Sequence, residues 1–332
     1  MSEDGEFLDR LRAVARRHFG AAARVTPLDR PSMGASNDTL VFAVREAVGE
    51  QHLVLRQESY TGAGKPYISP AAQYRLLGIA ERHGIPAPKP VFELQESDGL
   101  GQGFAMTFVA GETLPRRIVR DPALAEARPK LAHHCGEALA RLHAVDPAEA
   151  EFLAELDDSR DPLAAQRQRL DTFDEAHPVL ELGLRWLELR RPQQPQRCLL
   201  HGDFRNGNII VGPEGLRAVL DWECAHLGDR HEDLAWICLR SWRFGGFDLP
   251  VGGFAEQAPF FAAYRDAGGA EIDTQAIRYW QIFGFVRWAV LNVMQGYGHA
   301  VEGRRSPVFA ACGRNVAMME YDLLMTLEGS YD

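Results

Sequence analysis

Asp203, Asn208 and Asp221 are the side chains whose types and spacing could do chemistry together. They lie within residues 198–233, CLLHGDFRNGNIIVGPEGLRAVLDWECAHLGDRHED. Two carboxylates and an amide offer oxygen ligands of the kind a hard divalent cation takes. Mg²⁺ in particular keeps several waters and shares its coordination between a few protein groups and substrate phosphates. One amide and one carboxylate on the metal, with a second carboxylate kept as a base, form the set that phosphoryl transfer from a nucleotide needs. Asp203 is the candidate catalytic base, and Asn208 and Asp221 are the candidate metal ligands.

For these groups to meet, the chain must fold back on itself. Residues 208–211 and 216–220 are short apolar runs rich in β-branched side chains. Gly212-Pro213-Glu214-Gly215 between them is a turn signal, so the pair reads as a β-hairpin. Asn208 opens the first strand and Asp221 closes the second, which places both at the open end of the hairpin. His201-Gly202-Asp203-Phe204 enters that same end from upstream.

The run H-G-D-x-x-x-x-N, the strand ending in L-D-W-E and the segment Gly228-Asp229…Asp233-Leu234-Ala235 resemble the aminoglycoside phosphotransferase and choline kinase family. That resemblance implies an α+β, bilobal protein-kinase-like fold. An N-terminal β-sheet lobe with a helix would be followed by a larger, mainly helical C-terminal lobe. It also implies ATP and Mg²⁺ as cofactors, and transfer of the γ-phosphoryl group to a hydroxyl of a small molecule. The acceptor would be of aminoglycoside, choline or hydroxyacyl type. V-L-R in the third strand together with L-D-W-E is similar to kinase domains attached to some acyl-CoA dehydrogenases, whose acceptors would be hydroxyacyl compounds. No A-P-E-like element or activation segment is recognisable, which argues against a protein substrate.

The lobe boundary falls near residue 110, giving a nucleotide-binding lobe over 1–110 and a catalytic and substrate-binding lobe over 111–332. In the first lobe, strands over 25–28 and 39–45 flank a small-residue turn containing Gly34, Ser36 and Asn37. Such a turn can offer backbone N–H groups and a hydroxyl to a triphosphate. The next strand, 53–56, ends in Arg56 where the kinase pattern has a Lys, and Gln73 on the following helix stands where the pattern has a Glu. Arg56 can still bind phosphate, since a guanidinium is always charged and can do so bidentately. M-T-F-V-A-G resembles the kinase hinge, which implies that the carbonyl of Thr107 and the N–H of Val109 contact adenine. The Arg56 and Gln73 departures leave a nucleotide-binding pseudokinase with a regulatory role as one rival reading. AMP transfer to protein is another.

The helical period runs through 7–19, 70–83, 131–143, 162–191 (one or two helices), 231–244, 254–267, 273–300 and 308–327. Asp233, in the first turn of one of these, is expected to cap its own helix. Trp242 and its neighbours could wall the acceptor pocket, where an indole face can hold a cation, or simply fill core.

Composition narrows the partners. With 36 basic and 46 acidic residues the formal charge is −10, which argues against nucleic acid and would suit a cationic acceptor. The five scattered cysteines include no C-x-x-C, and no leader-like apolar segment follows Met1. Together these point to a cytoplasmic location. The most apolar stretch, 282–294, is interrupted by Arg287 and is too short to span a bilayer, so no membrane partner is expected. The sequence carries no signal for oligomeric state.

Overall fold

A computed structural model of the protein describes residues 3–29, 37–46, 49–58, 66–192 and 197–331. The chain forms two compact units, Met1–Ala110 and Gly111–Asp332.

The first unit opens with α1 (Glu3–Phe19) and the antiparallel meander β1 (Arg24–Asp29), β2 (Asn37–Glu46) and β3 (Gly49–Glu58). Helix α2 (Pro70–Arg82) and strands β4 (Pro90–Glu93) and β5 (Gly103–Thr107) complete it, in a five-stranded sheet of order β1-β2-β3-β5-β4. Leu11 and Val14 of α1 pack on Phe42, Leu53, Leu55 and Phe92 of the sheet, so one face of the sheet is sealed by this helix. Ser69 caps α2 by accepting the Ala72 N–H at 3.2 Å, with Pro70 at the first helical position. Gln73, Leu76, Leu77 and Ala80 are buried on its inner face. β5 stops at Thr107, and Phe108 just beyond it still donates its N–H to the His52 carbonyl at 3.0 Å.

The second unit is mostly helical. In chain order it contains α3 (Pro115–Arg120), α4 (Arg128–His143), α5 (Asp157–Arg160), α6 (Pro162–Asp171) and α7 (Pro178–Glu188). Four short strands follow: β6 (Arg197–Leu200), β7 (Ile209–Gly212), β8 (Gly215–Val219) and β9 (His226–Asp229). The chain ends with α8 (His231–Trp236), α9 (Gln257–Asp266), α10 (Thr274–Ala300) and α11 (Pro307–Glu328). β7 pairs with β8 and β6 with β9, both antiparallel. α10 is buried on nearly every side among α6, α7, α8 and α11, which explains its apolar run without a membrane. Its Arg287 is 4% exposed and donates to Glu232 at 3.0 Å, so the charge that breaks the run is paired inside the core. Among the described residues no helix is long and apolar enough to cross a membrane.

The segment 162–191, expected to hold one or two helices, resolves into α6 and α7, with Pro178 starting the second. One helical expectation changes. The helix expected over 231–244 ends at Trp236. Leu239 is extended, and Phe244 and Gly245 take left-handed φ values of 43° and 97°. The Arg243 guanidinium holds this bend by donating to the carbonyls of Cys238 at 3.1 Å and Phe247 at 3.0 Å.

Candidate active site

The β7–β8 hairpin places two of the three groups. Ile209 pairs with Val219, and the Leu220 N–H donates to the Asn208 carbonyl at 2.7 Å, so Asp221 is the next residue along at the open end. Asp221 has φ 60° and ψ 61°, the left-handed region that non-glycine residues seldom occupy. That conformation ends the strand abruptly and turns the chain into the short helical turn Trp222–Cys224. Glu112 extends the ribbon on its other side, exchanging two backbone bonds with Val211 at 2.8 and 3.0 Å.

Asp203 enters this end and is held by three donors. Its Oδ1 accepts from Arg205 Nε at 3.0 Å and from Trp236 Nε1 at 2.8 Å. Its Oδ2 accepts from Asn208 Nδ2 at 2.6 Å, and the same amide nitrogen reaches the Asp203 carbonyl at 3.0 Å. A carboxylate oxygen has two lone pairs. Oδ1 is therefore full, and Oδ2 has one lone pair without a donor among the described residues. Asn208 is 1% exposed, and with its nitrogen committed to two acceptors its amide oxygen is the atom it has left to offer a metal.

His201 braces the loop. Its Nε2 donates to the Leu220 carbonyl at 2.9 Å, which leaves Nδ1 to accept the Asp203 N–H at 3.2 Å. Both roles require the neutral imidazole, and burial lowers the pKa of this ring accordingly. Gly202 has φ +74°, and a Cβ there would lie 2.1 Å from the Cys224 carbonyl oxygen, so only glycine lets the loop pass this close.

Asp233 departs from the expectation that it caps its own helix. Its two oxygens accept the N–H groups of His201 at 2.8 Å and Gly202 at 2.9 Å, and His143 Nε2 lies 3.3 Å away, backed by Tyr264. Complete burial alone would raise the pKa of this carboxyl, but His143 and the two loop amides hold it below the usual range. A depressed folded pKa gives stability that is present above the unfolded value, about 3.9. It is lost as pH falls through the folded one. We expect urea unfolding of Asp233→Asn to show a flatter loss of stability below about pH 4 than the wild type. Parallel pH profiles would refute this role. Asp229 braces the loop, accepting from the His231 N–H at 3.0 Å and Trp280 Nε1 at 3.1 Å.

Of the first-unit candidates, Arg56 sits in β3 opposite Thr39 and Phe104. Gln73 faces inward, but its Nε2 donates to the Ile68 carbonyl at 3.2 Å. Thr107 ends β5, and Val109 lies just past the strand. Gly34 and Ser36 lie outside the described residues, and of Asn37 only the backbone, the first residue of β2, is described. Sequence reasoning missed Arg205 and Trp236 as partners of Asp203. An arginine two residues after the base was the available signal for the first; the second needed the fold.

The donor set suits magnesium. Among the described residues no three His, Cys, Asp or Glu side chains group to hold a metal by themselves. An amide oxygen and one carboxylate would leave most of the coordination to waters and phosphates, as Mg²⁺ prefers.

The model of the phosphotransferase enzyme family matches residues 28–277. The chain belongs to the phosphotransferase enzyme family. Mouse acyl-CoA dehydrogenase family member 10 is 28% identical to this family member over 300 residues, 83% of this chain and 27% of that protein. The chain thus spans about a quarter of that relative's length. Among solved structures, a Ralstonia eutropha protein assigned to the aminoglycoside phosphotransferases superposes with a TM-score of 0.72 at 20% identity, over 97% of this chain and 98% of that one. The GDP complex of aminoglycoside 2'-phosphotransferase-IIIa superposes with a TM-score of 0.65 at 14% identity, over 95% and 99%. This phosphotransferase-family chain therefore has the α+β, protein-kinase-like fold of those neighbours.

Proposed function

We propose that this chain transfers the γ-phosphoryl group of ATP, with Mg²⁺, to a hydroxyl of a small molecule. The observation that carries the reading is Asp203, a carboxylate fixed by three donors with a single lone-pair site left on Oδ2. A hydroxyl bound there is oriented for attack, and its proton passes to Oδ2 as the bond to phosphorus forms. Asn208 and Asp221 would hold the Mg²⁺. That ion, when bound, neutralises charge on the β- and γ-phosphates. Arg56, the turn with Gly34, Ser36 and Asn37, and the backbone at Thr107 and Val109 would bind the nucleotide. The buried, unpaired thiols of Cys135, Cys198, Cys224 and Cys238 suit a reducing, cytoplasmic setting. Burial pushes those of Cys135 and Cys238 up to about 12, which keeps them inert.

The test incubates the chain with ATP, Mg²⁺ and a panel of hydroxylated metabolites and aminoglycosides, scoring ADP and the mass of the phosphorylated acceptor. Acceptor-dependent ADP release supports the reading. Pyrophosphate in place of ADP would point to AMP transfer, and no turnover with any acceptor to a pseudokinase. The indole contact is testable separately. Trp236→Phe keeps a ring in the core but removes a donor to a charged oxygen, worth about 1.5 kcal/mol or more. We expect kcat to fall about tenfold with KM for the acceptor little changed; an unchanged kcat would remove Trp236 from the site.

A further inference from the structure

We infer that the acceptor carries an anionic group, a carboxylate or a phosphate, beside the hydroxyl that is phosphorylated, and that Arg205 recognises it. The inference rests on the phosphoryl-transfer reading and deepens it.

Arg205 lies against the base, and its side chain is 21% exposed. Nε is spent on Asp203, and one Nη1 donor reaches the Asn206 carbonyl at 3.4 Å. The other donors of the guanidinium make no hydrogen bond among the described residues. Five donors in a rigid fork match the oxygens of a carboxylate or phosphate, so the unspent edge is an anion-recognition surface next to the reacting hydroxyl. Its placement is enforced from two sides. Gly207 has φ +114°, and a Cβ there would come within 2.5 Å of Arg205 Nη1. On the other side the guanidinium carbon stacks 4.5 Å from the Trp242 ring centroid.

That stacking also removes the main alternative. An indole near the base could have caged a cationic acceptor, but this ring already faces the chain's own cation. Trp236 and Trp288 crowd the same indole, with centroids at 5.5 and 5.0 Å. An ammonium group brought to Asp203 would meet a carboxylate whose charge is already paired with the Arg205 guanidinium at 3.0 Å, so little net attraction for a second cation is left there. The net charge of −10 belongs to the whole chain, and exposed charges more than about 10 Å from the site are largely screened. Two further donors on the Trp242 segment, Trp242 Nε1 and Arg243 Nε, are buried without a hydrogen-bond partner, so unspent donors recur on this segment.

The test uses the full chain saturated with a non-hydrolysable ATP analogue and Mg²⁺. The ligands are straight-chain hydroxy acids of graded length, each matched with its primary amide, its terminal amine and its phosphate monoester. Calorimetry should show an anionic member binding at least about tenfold tighter than its amide, and the amine weakest. The tighter of acid and phosphate identifies the anion. Arg205→Gln should bring acid and amide to equal affinity, and Arg205→Lys should recover part of the difference. Thermal unfolding checks each variant, and if Arg205→Gln does not fold, the wild-type comparison still decides. Amide or amine binding as well as the acid overturns the inference. So does a preference that survives Arg205→Gln, or an Arg205→Gln variant that loses the nucleotide analogue while still discriminating. None of these outcomes depends on turnover, so failure of the phosphoryl-transfer reading is seen separately, as absence of phosphorylated product with ATP from every acceptor.

Discussion

Asp203→Asn is expected to lower kcat by about 10²–10⁴, the range in which a positioned general base acts. The side chain keeps its size but can no longer take the proton of the acceptor. It also breaks the local hydrogen-bond pattern. Arg205 Nε and Trp236 Nε1 point at Oδ1, and Asn208 Nδ2 points at Oδ2, so three donors face a group that now has one accepting oxygen. Whichever way the new amide turns, it sets a donor against a donor. Nucleotide affinity should move far less, because Asn208 Nδ2 retains the backbone carbonyl of residue 203 at 3.0 Å, which keeps the amide in place. Steady-state kinetics and calorimetry on the same preparation check both halves. A kcat within about tenfold of the wild type would show that proton transfer to Asp203 is not part of the rate-limiting path.

That pattern of donors marks how far the sequence could be read. The hairpin was legible because its information is local: β-branched runs, a Gly-Pro-Glu-Gly turn, and antiparallel pairing that returns Asp221 to Asn208. The three donors around Asp203 differ in kind. Asn208 is near in sequence, and its contact follows from the turn of the loop. Arg205 is nearer still, yet its direction depends on Gly207 leaving space and on a ring at Trp242. Trp236 comes from a helix beyond whose end the chain is held by side-chain bonds that periodicity does not report, the Arg243 guanidinium on the carbonyls of Cys238 and Phe247. Helical periodicity alone therefore ran on to 244. Asp233 shows the same limit. An acid in the first turn of a helix suits the dipole, but two loop N–H groups more than thirty residues upstream take its oxygens instead. In the first unit, Gln73 points inward as its periodicity requires, while its partner, the Ile68 carbonyl, could not be read from spacing.

Asp221→Asn is the variant that isolates the metal. A substitution by alanine would confound two effects, because residue 221 has φ 60° and a β-carbon without a polar group there costs about 1–2 kcal/mol on its own. Asparagine tolerates this region and keeps an oxygen at the ligand position, so what it removes is the negative charge. A carboxylate binds Mg²⁺ far better than an amide, and the ion contributes several kcal/mol at the phosphates. Loss of that charge should weaken Mg²⁺-dependent ATP binding by about 10², equivalent to about 3 kcal/mol. Affinity for ATP measured in excess chelator should be unchanged, and so should the thermal midpoint. Asp221→Ala should reproduce the loss of Mg²⁺ dependence and add a lower midpoint from the strained backbone. If calorimetry finds the Mg²⁺ dependence of ATP affinity intact in Asp221→Asn, then the open end of the hairpin is not where the metal is held. Asn208, the other candidate ligand at that end, would lose its role with it.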